Sequence, residues 1–308
     1  MNRFVLAAGA LVLGAALTTT AIAQTRATPP VIRPTLPPSL GGPSVPRAPT
    51  QPAGPQPTAA DWRTPDPQNV LVIDTNKGRI FVELIPELAP AHVERLRTLA
   101  RRKFYDGLQF FRVVDNFMDQ TGDPQNTGQG GSDLPDLKGE FTFRRNPATT
   151  PFVQVAAPTG SEVGFVGPMA VMSQVTAMSA LTADGKVSAW GLFCPGVIGM
   201  ARATDPDSAN SQFYLMRATY PSLDKNYTAF GRALSGLSVI RDIKLGEPVA
   251  DPRDVMERVQ VLADMSPMPS VRVVDTRSAW FKGEVERRRA SRGADFSACD
   301  IELPSEVK

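Results

Sequence analysis

The sequence holds one histidine, His92, among 308 residues, and that scarcity narrows its chemistry at once. A Ser-His-Asp or Cys-His nucleophile would have to be built around that ring, and histidine-rich zinc or iron sites are excluded. His92 lies in Pro90-Ala91-His92-Val93-Glu94-Arg95-Leu96, an amphipathic helical pattern that reads as a solvated helix histidine. Neither charge is in excess. The 33 basic and 31 acidic side chains leave a net +2, too even to argue for nucleic acid or an anionic membrane as partner. Long apolar runs are absent except from Phe4 to Leu17, which is shorter than the roughly 20 residues a bilayer span needs. Cysteine is limited to Cys194 and Cys299. These shortages point to chemistry with no metal and no cofactor.

Proline is abundant, at 29 residues, and unevenly spread. Residues 1–23 carry Met1-Asn2-Arg3, the apolar run and Ala21-Ile22-Ala23, a basic start, an apolar stretch and a small-x-small site. This is the pattern of a signal peptide cleaved after Ala23, so the chain is expected to be exported, as to a periplasm. No cysteine follows that site, so no lipid attachment is expected. Residues 24–67 are dense in proline, as in Arg33-Pro34-Thr35-Leu36-Pro37-Pro38. Such a stretch buries too little surface to offset its ordering entropy and reads as a disordered spacer outside the fold. In an oxidising compartment Cys194 and Cys299 can form one disulfide; two unrelated thiols are the alternative.

Downstream, Val70 to Thr75 and Arg79 to Leu84 are β-rich runs around Asn76-Lys77-Gly78, a hairpin signature. Ala91 to Arg102 follows Pro90 with apolar residues at helical spacing. Further strands are expected at 108–114, 117–121, 197–202, 212–217, 228–233 and 255–263, with a short helix at 236–245. Short strands with one or two helices suggest a β-barrel with helical lids. A sheet closed on itself leaves no exposed edge, which suits an exported monomer.

Phe104-Tyr105-Asp106-Gly107-Leu108-Gln109-Phe110-Phe111-Arg112-Val113-Val114 and Phe117-Met118-Asp119-Gln120-Thr121-Gly122-Asp123-Pro124 resemble the cyclophilin family of peptidyl-prolyl cis–trans isomerases. The family pattern there is YDG-x-x-FHRV followed by FM-x-QGGDP. Gly128-Gln129-Gly130-Gly131, Gly199-Met200-Ala201-Arg202, Asn210 to Tyr214, and Leu223-Asp224 through Phe230-Gly231 follow in the family's order. Together they cover about residues 69–264. The resemblance implies a mainly β fold, a closed eight-stranded antiparallel barrel with two capping helices. It implies a domain at 68–265 with an insertion at about 145–191, then a C-terminal tail at 266–308 with a short helix.

The resemblance also implies roles. Arg112 falls on the catalytic arginine, and Phe117, Met118, Tyr214 and Leu223 on the walls of a proline pocket. Gln120, Gln212, Ala201, Arg202 and Tyr227 fall on peptide-contact positions. Departures are Phe111 for a histidine, Arg202 for the usual asparagine, Tyr214 for phenylalanine and Tyr227 for a frequent histidine. Ser222 stands where a tryptophan contributes to cyclosporin binding, so weak cyclosporin inhibition is expected. An arginine suits the reaction because it stays charged and presents a rigid fork of donors, and the reaction needs no proton transfer.

Within the insertion, Val163 to Met172 reads as an ornament packing on the barrel; an adaptable methionine-rich partner surface is the alternative. In the tail, Ala279-Trp280-Phe281 and Glu284 to Arg289 read as a helix docked by its aromatic pair, against a basic partner-binding tail. The leading expectation is an isomerase acting on proline-containing peptides and unfolded exported proteins. Against it stand a non-catalytic peptide-binding or chaperone module on the same scaffold, and a structural envelope protein on a proline-rich stalk.

Overall fold

A computed structural model describes residues 54–308. The expected signal peptide at 1–23 and most of the expected spacer at 24–67 lie outside the described residues. The end of that spacer belongs to the fold, contrary to expectation. Thr58 closes a capping box with Asp61, and β1 (Trp62–Arg63) pairs with a strand of the C-terminal tail. Arg63 then grips Glu83 through two 2.7 Å hydrogen bonds. Reading the segment as a spacer on its proline content gave no weight to Trp62, which pairs opposite Val274 and packs against the core.

The chain continues through β2 (Val70–Thr75), β3 (Gly78–Leu84), α1 (Pro90–Arg101), β4 (Arg112–Val114) and β5 (Met118–Thr121). The insertion supplies β6 (Phe143–Arg145), β7 (Phe152–Ala156), β8 (Ser161–Val166), β9 (Met169–Gln174) and β10 (Val187–Gly191). Then come β11 (Val197–Met200), β12 (Phe213–Met216), β13 (Ala229–Ser235), α2 (Leu237–Asp242) and β14 (Met256–Val261). The tail adds β15 (Val271–Val274), α3 (Ala279–Arg292) and β16 (Ser305–Val307).

Eight strands form one antiparallel sheet in the order β14-β2-β3-β13-β11-β12-β5-β4. The expected closed barrel is not what forms. The sheet curls but stays open, because β4 and β14 do not pair as strands. Isolated bridges cross the seam, Gln109 to Val255 and Val113 to Gly246, with scattered backbone bonds such as Phe110 N to the Asp254 carbonyl at 3.0 Å in place of a continuous ladder. Turn residues 246–252, with Pro248 and Pro252, lie along the seam and cannot donate a full ladder.

Alternation along β2 places Leu71 and Ile73 inside the curl with Ile80, Val82, Phe110, Phe213 and Phe230. Val70 and Val72 face outward and are still buried, against Val271, Val273 and Leu262. The tail strands are therefore the second cover that a strand apolar on both faces demands. Helix α1 closes one end by burying Val93, Leu96 and Leu99, each worth roughly 1.5–3 kcal/mol of transfer free energy.

Ala89 cannot cap α1. Glu140 does so instead, accepting from the backbone of Ala91 and His92 at 3.2 and 3.1 Å and from His92 Nδ1 at 2.7 Å. His92 is accordingly fully buried and not the solvated residue its helical pattern suggested. Burial pushes the Glu140 carboxyl up, but these donors outweigh it and hold the group below the usual carboxylate range.

The insertion folds as a five-stranded antiparallel sheet, β6-β10-β9-β8-β7. Its Phe165, Met169 and Val171 pack with Phe281 of α3 and with Met118 and Met216 of the curled sheet. The tail is more structured than expected, with two strands and a 14-residue helix. Cys194 and Cys299 are joined by a disulfide that ties the tail to the loop before β11. Arg232 on β13 is buried and donates to the carbonyls of Pro195, Pro168 and Ile301 at 3.2–3.3 Å. Those carbonyls belong to the β10–β11 loop, the β8–β9 turn and the tail. Burial lowers the Arg232 pKa to about 10.

Candidate active site

The pairing register builds the site as a row. Arg112 on β4 lies opposite Gln120 on β5, Gln120 opposite Tyr214 on β12, and Tyr214 opposite Gly199 on β11. Side chains alternate across a sheet, so Met118, Gln120, Tyr214 and Met216 share the outward face. Val113, Phe213 and Leu215 point into the curl. From this face Arg112, Met118, Gln120 and Tyr214 line a cavity of about 310 Å³.

Nine of the ten residues singled out in the sequence line that cavity: Arg112, Phe117, Met118, Gln120, Ala201, Arg202, Tyr214, Leu223 and Tyr227. Gln212 lines the neighbouring depression instead. It is coupled to the first cavity because Gln120 Nε2 donates to its Oε1 at 2.9 Å. Gln212 Nε2 in turn donates to the Gly130 carbonyl at 2.7 Å. Ser222 does not line the cavity.

Arg112 is one of four charged residues lining the cavity, with Arg202, Glu247 and Arg253, and its Cζ lies 5.9 Å from the Phe117 ring centroid. Its Nε donates to Glu247 Oε1 at 2.7 Å and its Nη1 to Gln120 Oε1 at 3.3 Å. Its Nη2 is buried and has no partner among the described residues. A buried donor left free is costly unless something arrives to accept from it, and here it belongs to the group at the cavity wall.

The apolar side is braced from behind. Tyr220 packs on Phe117 with centroids 4.4 Å apart, and Phe193 stacks on Tyr214 at 6.1 Å. The Phe193 backbone is clamped by its N–H to Asp224 Oδ1 at 3.0 Å and its carbonyl to Tyr220 N at 2.9 Å. Burial pushes the Asp224 carboxyl up to about 6, against the Phe193 N–H that pulls it down. Tyr214 fits where a smaller ring would leave room because Gly199 faces it; a Cβ there would sit 2.7 Å from the tyrosine Oη. That hydroxyl is buried without a partner among the described residues, and burial holds its pKa well above the ordinary value.

Beneath the row, Asp119 points inward from β5 and is fully buried. Arg217 Nη1 donates to its Oδ1 at 3.0 Å, while Oδ2 has no partner among the described residues. Burial raises the Asp119 pKa to about 7, outweighing the pull of Arg217. Arg217 also donates to the carbonyls of Ile240 and Arg241 at 2.8 and 2.6 Å, so it ties α2 to the floor of the site.

Sequence reasoning missed Glu247, Tyr220 and Phe193. Glu247 left no local signal, since its position opposite Arg112 depends on register across the seam. Tyr220 and Phe193 could have been suspected as aromatics flanking motif words.

Residues 70–265 match the family description "Cyclophilin type peptidyl-prolyl cis-trans isomerase/CLD". A probable peptidyl-prolyl cis-trans isomerase of Brucella suis is 31% identical over 192 residues, covering 59% of this chain and 74% of that protein. Peptidyl-prolyl cis-trans isomerase-like 1 of Aspergillus fumigatus is 32% identical over 187 residues, covering 61% and 89%. The crystal structure of cyclophilin AquaCyp293 from Hirschia baltica superposes with a TM-score of 0.74 at 32% identity, covering 80% of this chain and 93% of that one. On that match, and on an arginine set in an apolar socket at the motif positions, the chain belongs to the cyclophilin-type peptidyl-prolyl cis–trans isomerase family.

Proposed function

We propose that this cyclophilin-type isomerase acts on X-Pro bonds of exported proteins during their folding, with Arg112 stabilising the twisted amide. Rotation about such a bond is opposed by amide resonance, a barrier of roughly 18–20 kcal/mol, and uncatalysed exchange takes tens to hundreds of seconds. At the twisted geometry resonance is lost, and the prolyl nitrogen becomes a better acceptor. A donor that bonds it only there lowers the barrier, because only interactions stronger in the transition state accelerate the step.

The observation that carries this reading is the buried Nη2 of Arg112 beside Phe117, unpartnered among the described residues. Phe117, Met118, Tyr214 and Leu223 form a socket for the pyrrolidine ring, and Gln120 and Gln212 offer amide groups to the peptide backbone. A gripped ring with a free preceding carbonyl is the arrangement that turning about the bond requires. Export of the clients rests on the signal-like residues 1–23.

Isomerisation of a short X-Pro peptide, wild type against Arg112→Ala, tests the mechanism. Turnover should fall by more than about tenfold, corresponding to about 1.4 kcal/mol, with peptide affinity largely kept. Equal turnover in the two proteins defeats the role of Arg112. Affinity without turnover in the wild type leaves a binding module.

A further inference from the structure

We infer that Glu247 is a positioning residue for the isomerase reaction, holding the Arg112 guanidinium in the single orientation that leaves Nη2 for substrate. The inference rests on Arg112 being the catalytic group, and it concerns what fixes that group in place.

Glu247 comes from the segment that runs along the open seam. The backbones of Val113 and Gly246 exchange two hydrogen bonds, at 2.8 and 2.9 Å, and Val249 N donates to the Phe111 carbonyl at 2.9 Å. These bonds bracket residue 247 and lay it alongside Arg112, which sits between Phe111 and Val113. The turn itself demands a glycine at 246, where a Cβ would meet Val249 Cα at 2.5 Å and the Pro248 carbonyl at 2.8 Å. The carboxylate is thus delivered by backbone geometry and not by a flexible loop.

The contacts on Arg112 are unequal. Glu247 accepts from Nε at 2.7 Å, a charge-assisted bond, whereas Gln120 accepts from Nη1 at 3.3 Å. Gln120 also commits its own amide nitrogen to Gln212. Glu247 is therefore the stronger of the two restraints on a side chain with about 2 kcal/mol of rotamer entropy to lose. A planar fork held at Nε and Nη1 has its third nitrogen fixed in direction. Among the described residues Glu247 is also the acidic partner within ion-pair distance of Arg112, so it compensates a guanidinium only 9% exposed.

A merely structural counterion and a positioning residue differ in what they move. Glu247→Ala, Glu247→Gln and wild type are compared for kcat, KM and melting temperature, and for the Arg112 Nε–H resonance in ¹⁵N spectra, assigned with Arg112→Lys. The expected result is a kcat about tenfold lower in Glu247→Ala, with KM nearly unchanged and the Nε–H resonance displaced. Glu247→Gln keeps an acceptor oxygen and should return kcat to within about threefold of wild type.

A wild-type kcat in Glu247→Ala, or a loss confined to melting temperature, overturns the inference. If Glu247→Ala does not fold, Glu247→Ser and the wild-type resonance decide: an Nε–H signal unaffected by Glu247→Gln and Glu247→Ser sinks it. A wild type without turnover, or an Arg112→Ala protein with full turnover, fails the function reading instead. The two failures are therefore distinguishable.

Discussion

The guanidinium of Arg202 lies over the ring of Tyr227, 4.5 Å from its centroid, and donates through Nε and Nη2 to the Asn226 carbonyl at 3.1 and 3.0 Å. Its Nη1 donates to the Ala203 and Thr204 carbonyls. A residue that stands where the family usually has asparagine thus holds the loop carrying the far wall of the cavity. Its donors are spent on backbone, so it braces the groove and is not a free cation awaiting a carboxylate.

Arg202→Ala should accordingly raise KM for a proline peptide severalfold while changing kcat little. Loss of a half-buried cation–π contact of about 0.5–1 kcal/mol and the freed loop act on binding, on a wall whose donors do not reach Arg112. Steady-state kinetics check this, and a kcat loss comparable to that of Arg112→Ala would show that the wall takes part in the chemistry.

Tyr214→Phe removes a hydroxyl that is buried without a partner among the described residues. Deleting an unsatisfied buried polar group relieves a penalty of about 1–3 kcal/mol, so the variant should melt higher than wild type and bind proline peptides at least as well. Thermal unfolding and peptide titration test it. A lower melting temperature would mean that the hydroxyl has a bond partner, such as an ordered water, in solution.

Asp119 gives stability a pH dependence of unusual sign. Its carboxyl titrates at about 7 in the folded chain against an ordinary 3.8, so the folded state binds the extra proton between those values. Stability contributed by this group therefore falls as pH rises from about 4 to about 7. Asp119→Asn keeps an acceptor for Arg217 and cannot ionise. The melting temperature of wild type relative to Asp119→Asn should decline across that window and level off above it. Parallel profiles for the two proteins would refute the shift.

Much of the sheet was legible in the sequence because its strands alternate or carry apolar residues on both faces, as β2 and β3 do. The candidate site was legible through the family resemblance: Arg112, Phe117, Met118 and Gln120 fall in two neighbouring motif words, and the pairing of β4 with β5 brings them to one cavity. What failed was long-range. The openness of the sheet depends on how residues 246–255 meet residues 107–113, a register that no local pattern encodes. His92 was misread because its partner, Glu140, is 48 residues away. Helical periodicity places His92 beside the apolar stripe without saying what caps that turn. The tail strands were missed because Val271 to Val274 is too short a run to stand out without the face it covers.

Arg232 has a consequence for how the molecule comes apart. One cation is shared among carbonyls from the β10–β11 loop, the insertion and the tail, so peeling off any one of them strands a guanidinium in apolar surroundings. The insertion and tail should therefore not behave as appendages that melt early. The protein from residue 54 onward should unfold as one cooperative unit with a single calorimetric peak, and proteases should find no stable trimmed core to leave behind.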